Sequence, residues 1–398
     1  VSVKSEDKTL DASLLKGYIR QHPNSKWFSL LKVPMGPYAL SGRDTTKRIN
    51  RFLQRVGEAP VVFDTLQANR AQENMLSAVN NLGFLQAKVR QERSVKGKKV
   101  RLTFVVEPGE RYRVRNIGYE IEDTAVARIL QQYADRTLLQ PGMPFDLNLL
   151  DAERGRISSR LQNNGYYRFN KEFVRYEADT CVGGHEVDLE VQIPLYRAVA
   201  GGDSTSHPRY VIRDVSFVSS AVQADGRRGT SDMDSIVYKG FPIYFRKQLP
   251  FRPSLFIQNN AIEPGRLYQE QDVRRTYGNF GQLGAVMFSN IRLEETDSLS
   301  GELDCVVTLH ENKRRSVGAE LEGTNTAGDL GAAVLLTYQN RNLFRGSELF
   351  SLKLRGAFEA ITGLEGYSDQ NYMEVSVEAG LTFPNFRLFR FNGRERGL

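Results

Sequence analysis

The segment "PGMPFDLNLLDAERGRISSRLQNNGYY" (residues 141–167) starts with a turn-forming Pro-Gly and ends with Gly165 before two tyrosines. Between them, Phe145-Asp146 leads into a helical pattern with Ile157 and Leu161 on one face. Residues 60–84, "PVVFDTLQANRAQENMLSAVNNLGF", repeat this plan with Phe63-Asp64, then Met75, Val79 and Leu82 on one face, then Gly83-Phe84. Phe63 to Gly83 and Phe145 to Gly165 are both 20 residues. Gly83 and Gly165 stand where a helix needs a left-handed residue before the chain turns into a strand. A weaker copy, "PGRLYQEQDVRRTYGNFGQLGAVMF" (264–288), has 16 residues from Tyr268 to Gly284. That is about one helical turn fewer, and it gives Gly284 the same turn role.

Each glycine is followed by two alternating strands. The second strands are "VRLTFVV" (100–106), "VDLEVQI" (187–193) and "LDCVVTL" (303–309). "RYRVRNI" (111–117) and "RYVIRDV" (209–215) open the next units with the same Arg-Tyr. The expected fold is α+β: three tandem βααββ units over 1–110, 111–200 and 207–313, with 314–398 as a separate strand region. First helices fit "DASLLKGYIRQ" (11–21) and "TAVARILQQYA" (124–134), while 219–262 offers no clear helix. A three-stranded sheet with helices on one face keeps two edges, which can accept another chain by strand addition. The first strand of each hairpin is the expected edge, which selects Val89, Val174, Tyr176, Ile291 and Leu293.

Residues 316–381 alternate in four runs. In "QNRNLFRGSELFSLKLRG" (339–356), Phe350, Leu352 and Leu354 oppose Ser351, Lys353 and Arg355. Runs of about nine to eleven residues suit tilted membrane strands, with the apolar face in lipid and the polar face in a wet lumen. Four strands cannot close a barrel, since about eight is the lower limit, so this region reads as the start of one.

Nothing in the sequence points to catalysis. There is no G-x-S-x-G, Walker loop, H-E-x-x-H or C-x-x-C. His22, His185, His207 and His310 fall far apart, so no metal or other cofactor is expected. Two cysteines make no disulfide framework; Cys305 reads as core and Cys181 as part of a turn. The net charge of +7 is modest, and the clusters "KGKK" (96–99) and "ENKRR" (311–315) read as turn and linker, with no nucleic-acid motif. No run approaches 18 apolar residues. The first residues, "VSVKS", read as the middle of a strand, so a longer polypeptide is expected.

Three βααββ units before a barrel-like start resemble the polypeptide-transport-associated (POTRA) domains and barrel of the Omp85 family. "NRNLFRGSE" (340–348) is similar to its first barrel hairpins, as in BamA and TamA, and the long "YIRQHPNSKWFSLLKVPMG" (18–36) is closer to the TamL lipoprotein branch. The resemblance implies a non-enzymatic assembly or translocation factor of the bacterial outer membrane, with POTRA domains in the periplasm. Its partners would be unfolded outer-membrane or surface protein clients, outer-membrane lipid and a TamB-like inner-membrane protein. It also implies a laterally opening seam at the first barrel strand, here Val317, Ala319 and Leu321. A two-partner-type secretion transporter exporting one dedicated soluble protein is the alternative; three units and no visible plug helix argue against it.

Overall fold

A computed structural model describes residues 1–7, 10–22, 24, 35–42, 46–97, 99–197, 202–220, 233–296, 301–326, 329–360 and 371–384. The chain divides into two compact units, residues 1–158 with 170–206 and residues 159–169 with 207–398. It is a mixed α+β fold in which every sheet is built from strands with alternating faces.

The first unit begins with β1 (Ser2–Ser5), a 3-10 turn (Leu14–Tyr18), α1 (Met35–Leu40), α2 (Arg48–Val56) and α3 (Thr65–Asn81). The hairpin β2 (Lys88–Lys96) and β3 (Lys99–Glu107) follows, and β1 pairs parallel with β3, giving the order β1-β3-β2. A parallel return needs a long crossover, which the helices supply. Met75 and Val79 of α3 and Phe104 and Val106 of β3 anchor the buried core. The helix expected over 11–21 is only the short 3-10 turn, which buries Leu15. Gly17 disfavours a helix interior, and Pro23 pushes the residue before it to extended backbone. Most of the 18–36 insertion lies outside the described residues.

Next come β4 (Arg113–Ile121), α4 (Thr124–Gln131), α5 (Leu147–Gln162), β5 (Arg175–Asp179) and β6 (Glu186–Ile193), in the order β4-β6-β5. β4 is parallel to β6 and β5 antiparallel to it. The Phe-Asp signature is a helix N-cap. Asp64 accepts from the amides of Leu66 and Gln67, and Asp146 from that of Asn148, satisfying donors that the first helical turn leaves free. The third copy has Gln269 at this position and no side-chain cap, which is why it reads weakly in the sequence.

The second unit contains β7 (Val211–Ser220), β8 (Asp234–Tyr238), β9 (Phe241–Phe245), α6 (Pro253–Asn259), α7 (Glu270–Gly281), β10 (Val286–Glu295) and β11 (Glu302–Glu311). Its mixed sheet runs β10-β11-β7-β9-β8. The region without a clear helix therefore holds an extra hairpin, β8-β9, and then α6, which starts at a proline suited to a first helical turn. Phe217, Phe251, Phe256 and Phe280 fill the core beside Cys305 and Val307. The antiparallel strands β12 (Arg315–Thr326), β13 (Asp329–Asn340), β14 (Leu349–Ala360) and β15 (Asn371–Thr382) form a separate sheet.

Gly83 has φ +94° and Gly165 has φ +98°, the left-handed conformation their spacing requires. A Cβ on Gly83 would lie 2.4 Å from the Phe145 carbonyl oxygen, and one on Gly165 would lie 3.0 Å from Leu267. The two joins share one design. The Tyr112 amide donates to the Gly83 carbonyl and the Tyr210 amide to the Gly165 carbonyl, both at 2.8 Å. Arg111 donates to the Leu82 carbonyl and stacks over Phe84, and Arg209 donates to the Asn164 carbonyl over Tyr166. The Arg-Tyr pairs thus cap the end of a preceding helix. Gly284 departs from this pattern. α7 runs on to a right-handed Gln282 (φ −80°, ψ −11°) and Leu283 is buried next, so Gly284 needs no positive φ. Instead its carbonyl accepts from the Asn312 side chain at 3.2 Å, tying it to the linker before β12.

Candidate functional site

β2, β5 and β10 each lie at a sheet edge. The side chains selected on them do not form an outward-facing site. Val89 is buried in the first core and Ile291 and Leu293 pack against the core of the mixed sheet. Val174 is fully buried and precedes β5, because the short 171–173 turn takes up the start of the expected strand. Tyr176 is half-buried, its hydroxyl donates to the Leu150 carbonyl, and burial pushes its pKa up. Alternation puts these apolar side chains inward, so an incoming strand would meet backbone.

Part of that backbone already has a partner. The Ile291 amide donates to the Tyr277 hydroxyl at 2.8 Å, and that hydroxyl lies 3.3 Å from the Ile291 carbonyl. The Val89 carbonyl accepts from the Gln72 side chain at 2.7 Å. Helix side chains on α7 and α3 thus cover single positions of the β10 and β2 edges, one way in which sheet edges are kept from indiscriminate pairing.

Sequence reasoning missed the opposite edge of the second sheet. Among the described strands β4 pairs with β6 alone, and residues 142–144 cover just its start: the Val114 amide donates to the Met143 carbonyl, the Gly142 amide to the Val114 carbonyl, and Arg113 bridges Pro144. Beside the rest of the strand is a cavity of about 420 Å³, lined by Ile117, Tyr119 and Ile121 of β4, Leu130 of α4, Leu139, and Ile157 of α5. The signal was present as alternation in "RNIGYEI" (115–121), whose apolar residues exceed what a short helix can cover.

The sheet β12–β15 has one apolar face and one that carries its ion-paired Lys, Arg and Glu side chains, with Leu335 and Ala333 of β13 among them. In register across the strands lie Ala319–Leu336–Leu354–Val377, Leu321–Val334–Gly356–Val375 and Val317–Tyr338–Leu352–Ala379. Among the described residues this apolar face is uncovered: Leu321 is 84% and Val375 81% exposed. The other face carries Glu320, Glu322, Lys353, Arg355, Glu374 and Glu378. Lys353 pairs with Glu378 at 3.3 Å, and Arg355 with Glu374 at 3.2 Å and Glu322 at 3.7 Å. Val317, Ala319 and Leu321 sit on β12, an edge of this sheet. The chain's last residues, "LFRFNGRERGL", lie outside the described residues.

The turn 341–348 joins β13 to β14 and docks on the mixed-sheet part of the same unit. Arg252 donates its amide to the Arg345 carbonyl at 2.7 Å and its Nε to the Phe344 carbonyl at 2.6 Å. Asn342 donates to the Pro250 carbonyl, and Ser347 Oγ accepts from the Ala285 amide. Glu348, only 5% exposed, accepts from the amides of Phe344 and Gly346 and pairs with Arg252. Buried polar groups satisfied in this way fix one geometry for the turn.

Among the described residues, no group of His, Cys, Asp and Glu has the arrangement of a metal site. Cys305 is buried and its thiol is pushed up to about 12 by desolvation, which disfavours the nucleophilic thiolate. No described helix is long and apolar enough to cross a membrane.

No family model matches the sequence, and no curated protein does. Solved structures similar to the chain include members of the Omp85 family. POTRA domains 3–5 of Haemophilus influenzae BamA match at 13% identity and TM-score 0.39, over 78% of this chain and 95% of that one. Haemophilus ducreyi BamA lacking POTRA domains 1–3 matches at 10% identity and TM-score 0.37, over 68% of this chain and 47% of that one. CdiB from Acinetobacter baumannii matches at 11% identity and TM-score 0.30, over 79% of this chain and 57% of that one.

Proposed function

We propose that this chain is the POTRA region and barrel start of a non-enzymatic Omp85-type factor of the bacterial outer membrane. It would receive unfolded β-strand clients in the periplasm and pass them to the membrane. The observation that carries this reading is the uncovered apolar face of β12–β15. Soluble monomers rarely expose contiguous apolar patches beyond a few hundred Å², and this one spans four strands of 12 residues. At about 3.3 Å per residue and a tilt near 45°, such a strand crosses about 28 Å, close to the hydrocarbon thickness. The ion-paired opposite face then meets a wet lumen.

Clients in extended conformation would pair along sheet edges, where backbone supplies affinity with little sequence preference. The β4 edge with its apolar cavity is the best formed for this. β12, with Val317, Ala319 and Leu321, would be the lateral seam, and three POTRA domains with boundaries near 110, 200 and 313 would precede it. The free energy of insertion would come from client folding in lipid, without nucleotide or cofactor. A TamL-like lipid anchor and a TamB-like inner-membrane partner belong to the same proposal.

The test uses the full-length protein in cells. Leu352→Arg places a charge that costs roughly 2–4 kcal/mol at a bilayer midplane and should abolish heat-modifiable gel mobility and membrane fractionation, whereas Lys353→Glu should keep both. Equal tolerance of the two would refute the membrane reading. Photo-crosslinkers along β4 should capture many outer-membrane clients; capture of a single soluble protein would favour the dedicated secretion transporter.

A further inference from the structure

The helix α2, "RINRFLQRV", takes no part in the core of the first unit, and none of its residues is buried. Its packed side holds the half-buried Asn50, Leu53 and Gln54: Gln54 donates to the Gly42 carbonyl, and Gly57, which caps the helix end, lies against Tyr38. Ile49, Phe52 and Val56 are 74%, 64% and 58% exposed. At the helical repeat these three and Leu53 fall within about a 100° arc, one continuous stripe. Lys47, Arg48, Arg51 and Arg55 are all exposed, and no acidic residue occurs from Thr46 to Gly57. Arg48 and Arg55 fall along one flank of the stripe, with Arg51 behind them.

We propose that α2 is an interfacial helix that docks on the surface of an anionic lipid bilayer. A short helix with a largely exposed apolar stripe and a cationic flank has the form of membrane-surface helices, whose apolar side enters the headgroup boundary while Lys and Arg meet anionic lipid. Charge complementarity selects this occupant. A protein groove would cover the apolar stripe but would also need four matching carboxylates, which a leaflet of anionic headgroups supplies without a defined geometry. The docking does not depend on the client-handling role proposed above.

The experiment uses the full-length protein in nanodiscs of phosphatidylcholine, mixed with separate vesicles. One vesicle set is phosphatidylcholine alone, and the other has two parts phosphatidylcholine to one part phosphatidylglycerol. Co-flotation is expected with the anionic set only, and it should fall as salt rises. Replacing Arg48, Arg51 and Arg55 together by Gln should weaken it at least tenfold, since each cation near an anionic surface contributes roughly fivefold. Phe52→Ser with Ile49→Ser should weaken it comparably at unchanged charge. Replacing the exposed Arg101, Arg175 and Arg246 by Gln matches the charge change and should leave binding intact. Amide exchange across α3 reports that each variant is folded. Equal losses in the two arginine triples would overturn the proposal, as would lipid-independent protection of α2 that rises with protein concentration, the mark of a second copy. Binding of an acidic peptide without binding of anionic vesicles would overturn it too.

Discussion

β11 and β14 carry nearly the same pattern and meet different surroundings. Leu303, Cys305, Val307 and Leu309 of β11 alternate with polar residues and are essentially buried beneath α6 and α7. Leu352, Leu354 and Phe358 of β14 alternate with Lys353 and Arg355, yet Leu354 and Phe358 remain 42% and 43% exposed. Period-two alternation specifies which side is apolar and leaves open what that side faces. The sequences between strands decide it. β7 and β10 are separated by two amphipathic helices that fold back over the sheet, whereas β13 and β14 are joined by an eight-residue turn that covers nothing. The turn instead fastens one sheet's strands to the other's helical end, its Asn342 donating to the Pro250 carbonyl and its Glu348 pairing with Arg252.

The largest effect should come from the covered sheet. Phe256 is 0% exposed, and Phe256→Ala should cost about 3–5 kcal/mol through a cavity, read as faster amide exchange across β7 and β11 in reconstituted protein. Val375→Ala on the uncovered sheet should leave that exchange unchanged. Equal effects would erase the distinction between the sheets.

Next come the glycines. Gly83→Ala forces a side chain into positive φ at about 1–3 kcal/mol, and its Cβ would also lie 2.4 Å from a carbonyl oxygen. Gly284→Ala, with no atom within 4 Å and no positive φ, should be neutral within about 0.5 kcal/mol. Chemical denaturation of the full chain followed by amide exchange near each site measures both. Gly165→Val should behave like Gly83→Ala.

A smaller effect is expected at the β10 edge. Tyr277→Phe removes the hydroxyl that caps Ile291 and should cost about 0.5–1.5 kcal/mol, while increasing crosslinking of extended peptides to β10. A stability loss without added crosslinking would show the cap to be structural only. Least of all, Glu378→Gln breaks an exposed pair on the polar face and should change stability by about 0–1 kcal/mol, far below the effect of a charge at Leu354.

Much of the fold was legible because its signals are local. Phe-Asp marks a helix start because an aspartate caps the first free amides, and Gly83 and Gly165 mark helix ends because only glycine takes a left-handed turn cheaply. Where another residue met the need, the signal fails: Gln282 ends α7 in the right-handed region, so Gly284 carries no turn role although its place in the repeat implies one. The β8-β9 hairpin leaves little sequence signal because each strand is only five residues long. The edge caps could not be read at all, since Gln72 meets Val89 and Tyr277 meets Ile291 across distances in the chain that no periodicity encodes. The β4 cavity was half legible: the alternation of Ile117, Tyr119 and Ile121 marks its strand wall, while the wall from α4 and α5 exists only once the helices have packed beside the strand.

The central claim, that the apolar face of β12–β15 meets lipid and the charged face meets water, is tested most directly by spin labels in the reconstituted full-length protein. Labels at Leu321, Leu336, Leu354 and Val375 should collide with oxygen and be shielded from a water-soluble nickel chelate. Labels at Glu320, Lys353 and Glu374 should give the opposite. Chelate access at all seven positions would put both faces in water and contradict the membrane assignment.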